Sequence, residues 1–308
     1  TTTKSDLTGS VSKVDIEDIA EIPANSIENL LQGRVAGLQV VNTSQDPGAG
    51  ATVRIRGGSS LRGSNAPLVV VDGFPLGDAG NLKQINRETI QSVEVLKDAS
   101  ASAIYGSRGA NGVIVVTTKQ AQAGKTEVSV NQQVTVSQFA SKLNLWRDPV
   151  LMAQLNNESR ENGGFEPLYI GEENATGVYY PSVHELETGE WSHYTEWDEL
   201  VFRDMPVSNN TTINVSSANE TTSFNLSGNY YTDSGVYIED DYSKLGYNLQ
   251  IAHNVFDNLK VSFSNILSKG TRNANGGLAY WRNPIRPVYN EDGSYNLIGT
   301  NDYSHPLA

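Results

Sequence analysis

The sequence predicts a compact α+β domain followed by long antiparallel strands of a transmembrane β-barrel. Up to about residue 122, short helical and strand patterns alternate. Beyond residue 123, apolar and polar residues alternate over runs that reach about 13 residues. A tilted strand needs about 9–11 residues to cross a bilayer, whereas strands in globular proteins usually have about 5–6. The connections between these runs are alternately tight and long, which is typical of outer-membrane barrels.

Composition excludes several classes of protein. The chain has 308 residues, a net charge of −13 and no cysteine. The acidic balance argues against nucleic acid as a partner, because a phosphate binder needs a basic face. Without cysteine there is no disulfide and no thiolate metal site. No apolar run is long enough for a membrane-spanning helix, and TTTKSDLTGS lacks the core of a signal peptide. We therefore expect either a cytoplasmic chain or a mature, trimmed one.

Residues 1–122 predict the α+β domain. Asn25 and Glu28 have the spacing of a capping box, which would open a helix that ends at Gly37. Asn86 is expected to cap a second, short helix. Strands are predicted by short apolar or alternating runs at 38–41, 51–57, 67–73 and 92–96.

The stretch AIYGSRGANGVIVVTTK, residues 103–119, joins a helix to a strand through Gly106, Gly109 and Gly112. Asp98 is expected to cap this helix, which should end at Gly106. Glycine-rich loops can cradle phosphate, but they lead from a strand into a helix, and no Lys-Ser/Thr pair follows here. We therefore interpret the glycines as a tight elbow that needs positive φ.

Residues 123–308 predict five wall strands, at 126–138, 211–217, 222–232, 243–255 and 259–268. Their polar faces are largely uncharged, as in a wet lumen, and the segment 139–208 would form a long first loop. An aromatic girdle would account for tyrosines near the long-loop ends, although tyrosine is common in any sheet: Tyr230, Tyr231, Tyr237, Tyr242 and Tyr247. Since the smallest membrane barrels have about eight strands, we expect further chain beyond Ala308, or other chains, to complete the wall.

Candidate chemical sites are weak. Aromatic residues of the first loop could stack on sugars, but packing within the loop is the preferred interpretation: Trp146, Tyr179, Tyr180, Trp191, Tyr194 and Trp197. An acidic group could hold calcium, although it lacks EF-hand spacing and a solvated loop is preferred: Asp233, Glu239, Asp240 and Asp241. The histidines have no metal-ligand spacing, and no nucleophile motif occurs. We predict no catalytic residue, no metal, no cofactor and no enzyme.

Four segments together resemble one known family. They are DLTGSV (6–11), LLQGRVAGLQV (30–40), VRIRGGSSLRGSNAPLVVVDGFPL (53–76) and VEVLKDASASAIYGSRGANGVIVVTTK (93–119). They resemble the plug domain of TonB-dependent outer-membrane transporters, most closely the SusC/RagA branch of Bacteroidetes. The resemblance implies a plug at 1–122 inside a barrel of about 22 strands. Residues 123–308 would then be the first part of the barrel, and 139–208 the first extracellular loop.

The resemblance also implies a function: active import of an oligosaccharide or peptide across the bacterial outer membrane, with the plug as the gate. Expected partners are a SusD-like lid lipoprotein, outer-membrane lipid, and the TonB–ExbB–ExbD complex, which would pull a segment upstream of Thr1. The alternative is a secreted β-rich adhesin or glycan-binding module without transport. A barrel should need detergent for extraction, whereas an adhesin should be released by salt.

Individual residues follow from the same resemblance. Arg56 and Lys97 match plug positions that face acidic residues of the barrel wall, where a buried ion pair would hold the plug. A hydrated surface charge is the alternative for such residues. Loops beside the plug strands would reach the outer face and contact substrate through Ser59, Ser60, Arg62, Asn65, Phe74 and Asp78.

Overall fold

The structure is a computed structural model, in which the chain forms two compact units. It describes residues 11–15, 26–42, 44, 46–55, 64–98, 102–121, 123–140, 147–174, 177–256, 258–274, 283–290 and 292–297. The first unit comprises Thr1–Val136, Val207–Gly235 and Asp240–Asn273. The second comprises Ser137–Pro206, Val236–Glu239 and Ala274–Ala308.

The N-terminal part of the first unit, called here the N-terminal domain, is built on a five-stranded sheet. The strands lie in the order β1 (Val11–Asp15), β6 (Ile90–Leu96), β7 (Val113–Thr118), β4 (Leu68–Val71) and β5 (Phe74–Asp78). Strands β4 and β7 are parallel, and the other neighbours are antiparallel. A separate antiparallel pair is formed by β2 (Leu38–Asn42) and β3 (Ala51–Ile55). The sheet, this pair and helix α1 (Ile27–Leu31) enclose one apolar core, which includes Val53, Val69, Leu82, Ile90 and Ile114.

Helix α1 begins one residue later than the capping-box prediction. Its N-cap is Ser26, whose Oγ accepts a hydrogen bond from the Asn29 amide at 3.3 Å. The N-cap is therefore Ser26 and not Asn25, which lies outside the described residues, and Glu28 is fully buried. The helix is also shorter than predicted, because the backbone is already left-handed at Gly33.

The three glycines of the elbow are needed for two different reasons, backbone conformation and steric space. A 3₁₀ helix spans Ala103–Gly109 with a break at Gly106, so the helical segment does not end there as predicted. Gly106 and Gly112 have φ of 62° and 88°, as the elbow interpretation requires. At Gly109 the constraint is steric, since a Cβ there would lie 2.9 Å from the Ser102 carbonyl oxygen.

Two further 3₁₀ helices follow the β4–β5 hairpin, at Ala79–Gln84 and Arg87–Thr89. Asn86 caps the second one through its side chain, which confirms that prediction. The segment that contains Phe74 and Asp78 is strand β5, not a loop. It pairs with β4 across the turn at Asp72 and Gly73.

The five predicted wall strands form one antiparallel sheet, called here the wall. In order they are β14 (Leu259–Asn273), β13 (Asp241–Phe256), β12 (Thr222–Ser234), β11 (Val207–Ala218) and β8 (Glu127–Val136). The predicted apolar face is solvent-accessible in this unit: Val128, Ile213 and Leu267 are 64%, 50% and 60% exposed. The opposite face carries the polar residues. Tight turns join β11 to β12 and β13 to β14 at one end, called here the tight-turn end. The other is the long-loop end.

The second unit is a small packed assembly. It contains α2 (Pro149–Asn162), a short pair of β9 (Glu172–Glu173) and β10 (Tyr179–Tyr180), α3 (Val183–Thr188) and α4 (Trp197–Val201). The indole nitrogens of Trp191 and Trp197 donate to the carbonyl oxygens of Ile285 and Asn283 at 2.8 and 3.2 Å. These two rings are packing residues, as preferred, while Trp146 lies outside the described residues. Within those residues no helix is long and apolar enough to cross a membrane.

Candidate functional site between the N-terminal domain and the wall

Within the first unit, the polar face of the wall lies against the N-terminal domain and forms hydrogen bonds with it. Asn86 Nδ2 donates to Thr212 Oγ1 at 3.1 Å. The guanidinium of Arg87 donates to Gln133 Oε1. Asn131 Nδ2 donates to Glu88 Oε2 at 3.1 Å. Three consecutive residues, which begin the 3₁₀ helix at Arg87–Thr89, thus reach β8 and β11.

A second group of contacts lies near the tight-turn end of the wall. It joins the wall to the end of β7, the strand after the glycine elbow, and to the turn after β4. Thr118 donates to the Asp72 carboxylate through its amide at 2.9 Å and its hydroxyl at 2.7 Å. From β13, Gln250 Nε2 reaches Asp72 Oδ2 at 2.6 Å and Thr118 Oγ1 at 2.5 Å. Next to them, Asn225 Nδ2 donates to the Lys119 carbonyl at 2.8 Å. The end of β7 and the turn after β4 are therefore tied to the same wall strands.

The charged contacts lie nearer the long-loop end. Lys244 Nζ, on β13, donates to the Lys83 carbonyl at 2.9 Å. Arg272, near the end of β14, lies 3.1 Å from Asp46 of the N-terminal domain and 3.3 Å from Asp240. The Ser44 hydroxyl, helped by Arg272, lowers the pKa of Asp46. Burial raises the pKa of Asp240, and the Arg272 guanidinium opposes that shift. Asp240 is thus buried and paired rather than solvated, contrary to the preferred interpretation.

A polar cavity of about 230 Å³ lies between the N-terminal domain and the wall. From the N-terminal domain it is lined by Ser26, Asn29, Asn42 and Asn86, among others, and from the wall by Gln133, Asn210, Asn229, Tyr231 and Tyr242. A space of this size with so many donors and acceptors can hold several water molecules. The interface between the N-terminal domain and the wall is therefore polar here and leaves room for water.

The residues that line the cavity include two tyrosines predicted to belong to the aromatic girdle. Tyr231 and Tyr242 line the cavity, so they are on the polar face of the wall. Tyr230 and Tyr247 are on the opposite, exposed face, where a girdle would require them. Tyr237 lies in the second unit and packs on Phe202. The girdle prediction is thus wrong for three of its five tyrosines.

Glu28 is a buried acid that sequence reasoning missed. Its side chain has 0% exposure, and within the described residues neither carboxylate oxygen has a hydrogen-bond partner of good geometry. Burial raises the pKa of Glu28, while the nearby Ser26 hydroxyl and the charges of Lys244 and Lys83 partly oppose the shift. The spacing from Asn25 concealed this residue, because it suggested an exposed cap.

The structure separates the predicted site residues. Lys97 Nζ donates to Ser12 Oγ of β1 at 2.6 Å, and the expected wall carboxylate stays a prediction. Phe74 is exposed beside the turn whose Asp72 contacts Gln250. Asp78 caps the 3₁₀ helix at Ala79–Gln84, and Asn65 precedes β4. Lying outside the described residues are Arg56, Ser59, Ser60 and Arg62. Contact of any of these loops with substrate stays a prediction.

Comparison with known proteins identifies this arrangement. Residues 3–113 match the model of the TonB-dependent receptor plug domain. Over 99% of this chain, the sequence is 36% identical to TonB-dependent receptor P26 of Formosa agariphila. Over 96% of this chain, it is 30% identical to TonB-dependent receptor SusC of Bacteroides thetaiotaomicron. The chain belongs to the TonB-dependent receptors. Its relatives place it in their SusC/RagA branch. The chain spans 30% and 28% of the lengths of those two relatives.

Solved structures agree with the assignment to the TonB-dependent receptors. The RagAB peptide importer in its closed-closed state superposes with a TM-score of 0.73 at 26% identity, over 96% of this chain and 35% of that one. The N-terminal domain is therefore the plug, and the wall is part of an antiparallel barrel, as the sequence predicts. The count of 22 strands and the domain boundary at residue 122 stay predictions.

Proposed function

We propose that the whole protein imports a nutrient across the bacterial outer membrane, driven by TonB and gated by its plug. The observation that carries this proposal is the construction of the plug–wall interface. The plug has its own apolar core, and its contacts with the wall are separate polar ones, some neutral and some with a charged group, beside a polar cavity. A neutral hydrogen bond contributes about 0.5–1.5 kcal/mol net and one to a charged group about 1.5–3 kcal/mol, so such contacts hold a domain in place yet can open one by one.

The mobile part would be the plug as a folded unit. Among the wall side chains, Ile266 is the one described as packed against the plug core, and it is only partly buried. Displacing the plug therefore exposes little apolar surface, and water can replace the broken hydrogen bonds. A force on the plug can move it without unfolding its core.

The partners follow from the family. A segment upstream of Thr1 would connect the plug to the TonB–ExbB–ExbD complex, and a SusD-like lipoprotein would cover the long-loop end. The solvent-accessible apolar face of the wall would contact outer-membrane lipid. For cargo we propose an oligosaccharide or a peptide. The RagAB structures are of a peptide importer and favour a peptide, while the family resemblance leaves an oligosaccharide open, so the assay must offer both.

The test is uptake by cells that carry the whole gene, compared with a deletion strain, on a panel of labelled oligosaccharides and peptides. Uptake that requires both the gene and TonB is expected for at least one compound class. The protein should need detergent for extraction and change its gel mobility on boiling. Release by salt alone, with no gene-dependent uptake, would instead support the adhesin.

A further inference from the structure

A turn of the plug is seated in a socket at the long-loop end of the wall. The turn begins at Asp46, whose carbonyl accepts a hydrogen bond from the Ala49 amide at 3.0 Å. The socket consists of Arg272, Tyr242, and the two residues Gly235 and Asp240, which close the connection between β12 and β13. The Gly235 amide donates to the Asp240 carbonyl at 2.7 Å.

The fit between turn and socket is steric as well as ionic. A Cβ added at Gly235 would lie 2.8 Å from Cγ of Pro47, a buried residue of the plug turn. A Cβ at Gly48 would overlap the ring of Tyr242. A side chain is therefore disfavoured on both sides of the contact, on the wall at 235 and on the plug at 48, because each glycine lies against a ring of the other partner. An incidental contact would not place these demands on both partners.

The Arg272 guanidinium contacts two carboxylates that differ in burial, Asp240 of the wall and Asp46 of the plug turn. Asp240 is 3% exposed, so its carboxylate depends on the guanidinium at 3.3 Å for compensation of its charge. The Asp46 side chain is 48% exposed, and water can replace the guanidinium there at little cost. When the plug is pulled, the ion pair between Arg272 and Asp46 should break, while the ion pair with Asp240 keeps Arg272 on the wall.

We propose that Arg272 is the release point of the plug at the long-loop end: its contact with Asp46 and the seating of Pro47 must part during transport, while its contact with Asp240 stays closed. This inference rests on the proposed import function. It adds that opening of the plug begins at one defined socket, and it makes Arg272 a positioning residue that holds the plug turn closed at rest.

The first test is a disulfide across the socket in the whole protein. This chain contains no cysteine, so the variant Gly48→Cys/Tyr242→Cys, made in a cysteine-free background of the whole protein, would introduce a defined pair. Replacing Tyr242 removes the ring that a Cβ at position 48 would overlap. Oxidation should reduce uptake by about tenfold or more, and reduction should restore it. The matched control is Thr232→Cys/Ser243→Cys, which links register partners of β12 and β13 within the wall and should leave uptake unchanged. Undiminished uptake by the fully oxidised Gly48→Cys/Tyr242→Cys variant would overturn the proposal while leaving the import function intact.

The second test needs no transport. In purified protein, Pro47→Cys reports on the seating of the turn through its rate of maleimide labelling. Adding Asp46→Asn should accelerate labelling by about fivefold, the effect of losing one half-exposed ion pair. The control Asp78→Asn changes a plug carboxylate outside the socket and should not alter the rate. Equal rates with and without Asp46→Asn would refute the release point even if no cargo were found.

Discussion

The bridge between Asp72, Thr118 and Gln250 tests whether separable polar contacts hold the plug. Asp72 has a left-handed backbone with φ of 48°, which asparagine tolerates about as well as aspartate. Asp72→Asn therefore removes the charge without adding backbone strain. Gln250→Ala removes the arm that the wall contributes, and leaves the plug sequence intact.

The expected magnitude follows from the bonds. Gln250 donates to a carboxylate, and a hydrogen bond to a charged group is worth about 1.5–3 kcal/mol. Its loss should favour local opening of the bridge by about 10- to 150-fold. Because Gln250 and Asp72 share one bond, the double variant should lose less stability than the sum of the single variants. A coupling free energy of about 0.5–3 kcal/mol is expected.

Amide hydrogen exchange measures this opening, because the Thr118 amide itself donates to Asp72. The whole transporter in detergent would be exchanged and digested, and the peptide that covers residues 112–120 followed by mass spectrometry. Gln132→Ala is the matched control, since Gln132 lies on the exposed face of β8. Exchange in Gln250→Ala within twofold of the parent protein, or strictly additive effects in the double variant, would refute the reasoning.

Three further predictions concern the core, the buried acid and the wall. Leu82→Ala removes a fully buried side chain and should lower the free energy of plug unfolding in urea by about 2–5 kcal/mol, whereas Gln84→Ala on the exposed side of the same 3₁₀ helix should change it by less than about 0.5 kcal/mol. Burial raises the pKa of Glu28 in the folded plug, so its contribution to stability is complete below the unfolded pKa of about 4.3 and is lost as the pH rises through the folded value. Glu28→Gln should therefore match the parent protein near pH 4 and exceed its stability at pH 8; parallel urea midpoints across that range would contradict this. Val130→Arg puts a charge on the exposed apolar face of β8, which we propose contacts lipid, and should cost about 2–4 kcal/mol of barrel stability near the bilayer midplane, measured by heat-dependent gel mobility. Ser129→Arg, on the opposite face, should be better tolerated.

The sequence alone was sufficient for the architecture of the wall and for the family. The alternation of Val128 and Val130 with Ser129 predicts both the strand and its two faces, because side chains of a strand point alternately to opposite sides. Asn86 is a similar case, since a cap depends on neighbours within a few residues. Such features are local, so the chain order of the residues contains the whole explanation.

The tertiary structure alone decided which residues hold the plug. Asp46, Asp240 and Arg272 come together from the plug and two parts of the wall, and no local spacing connects them. Glu28 is a second case: its side chain is fully buried, and the charges that act on it belong to Lys83 and Lys244, far away in the chain. Burial and ion pairing depend on the distant residues that the fold brings near, and those contacts fix the plug in its seat.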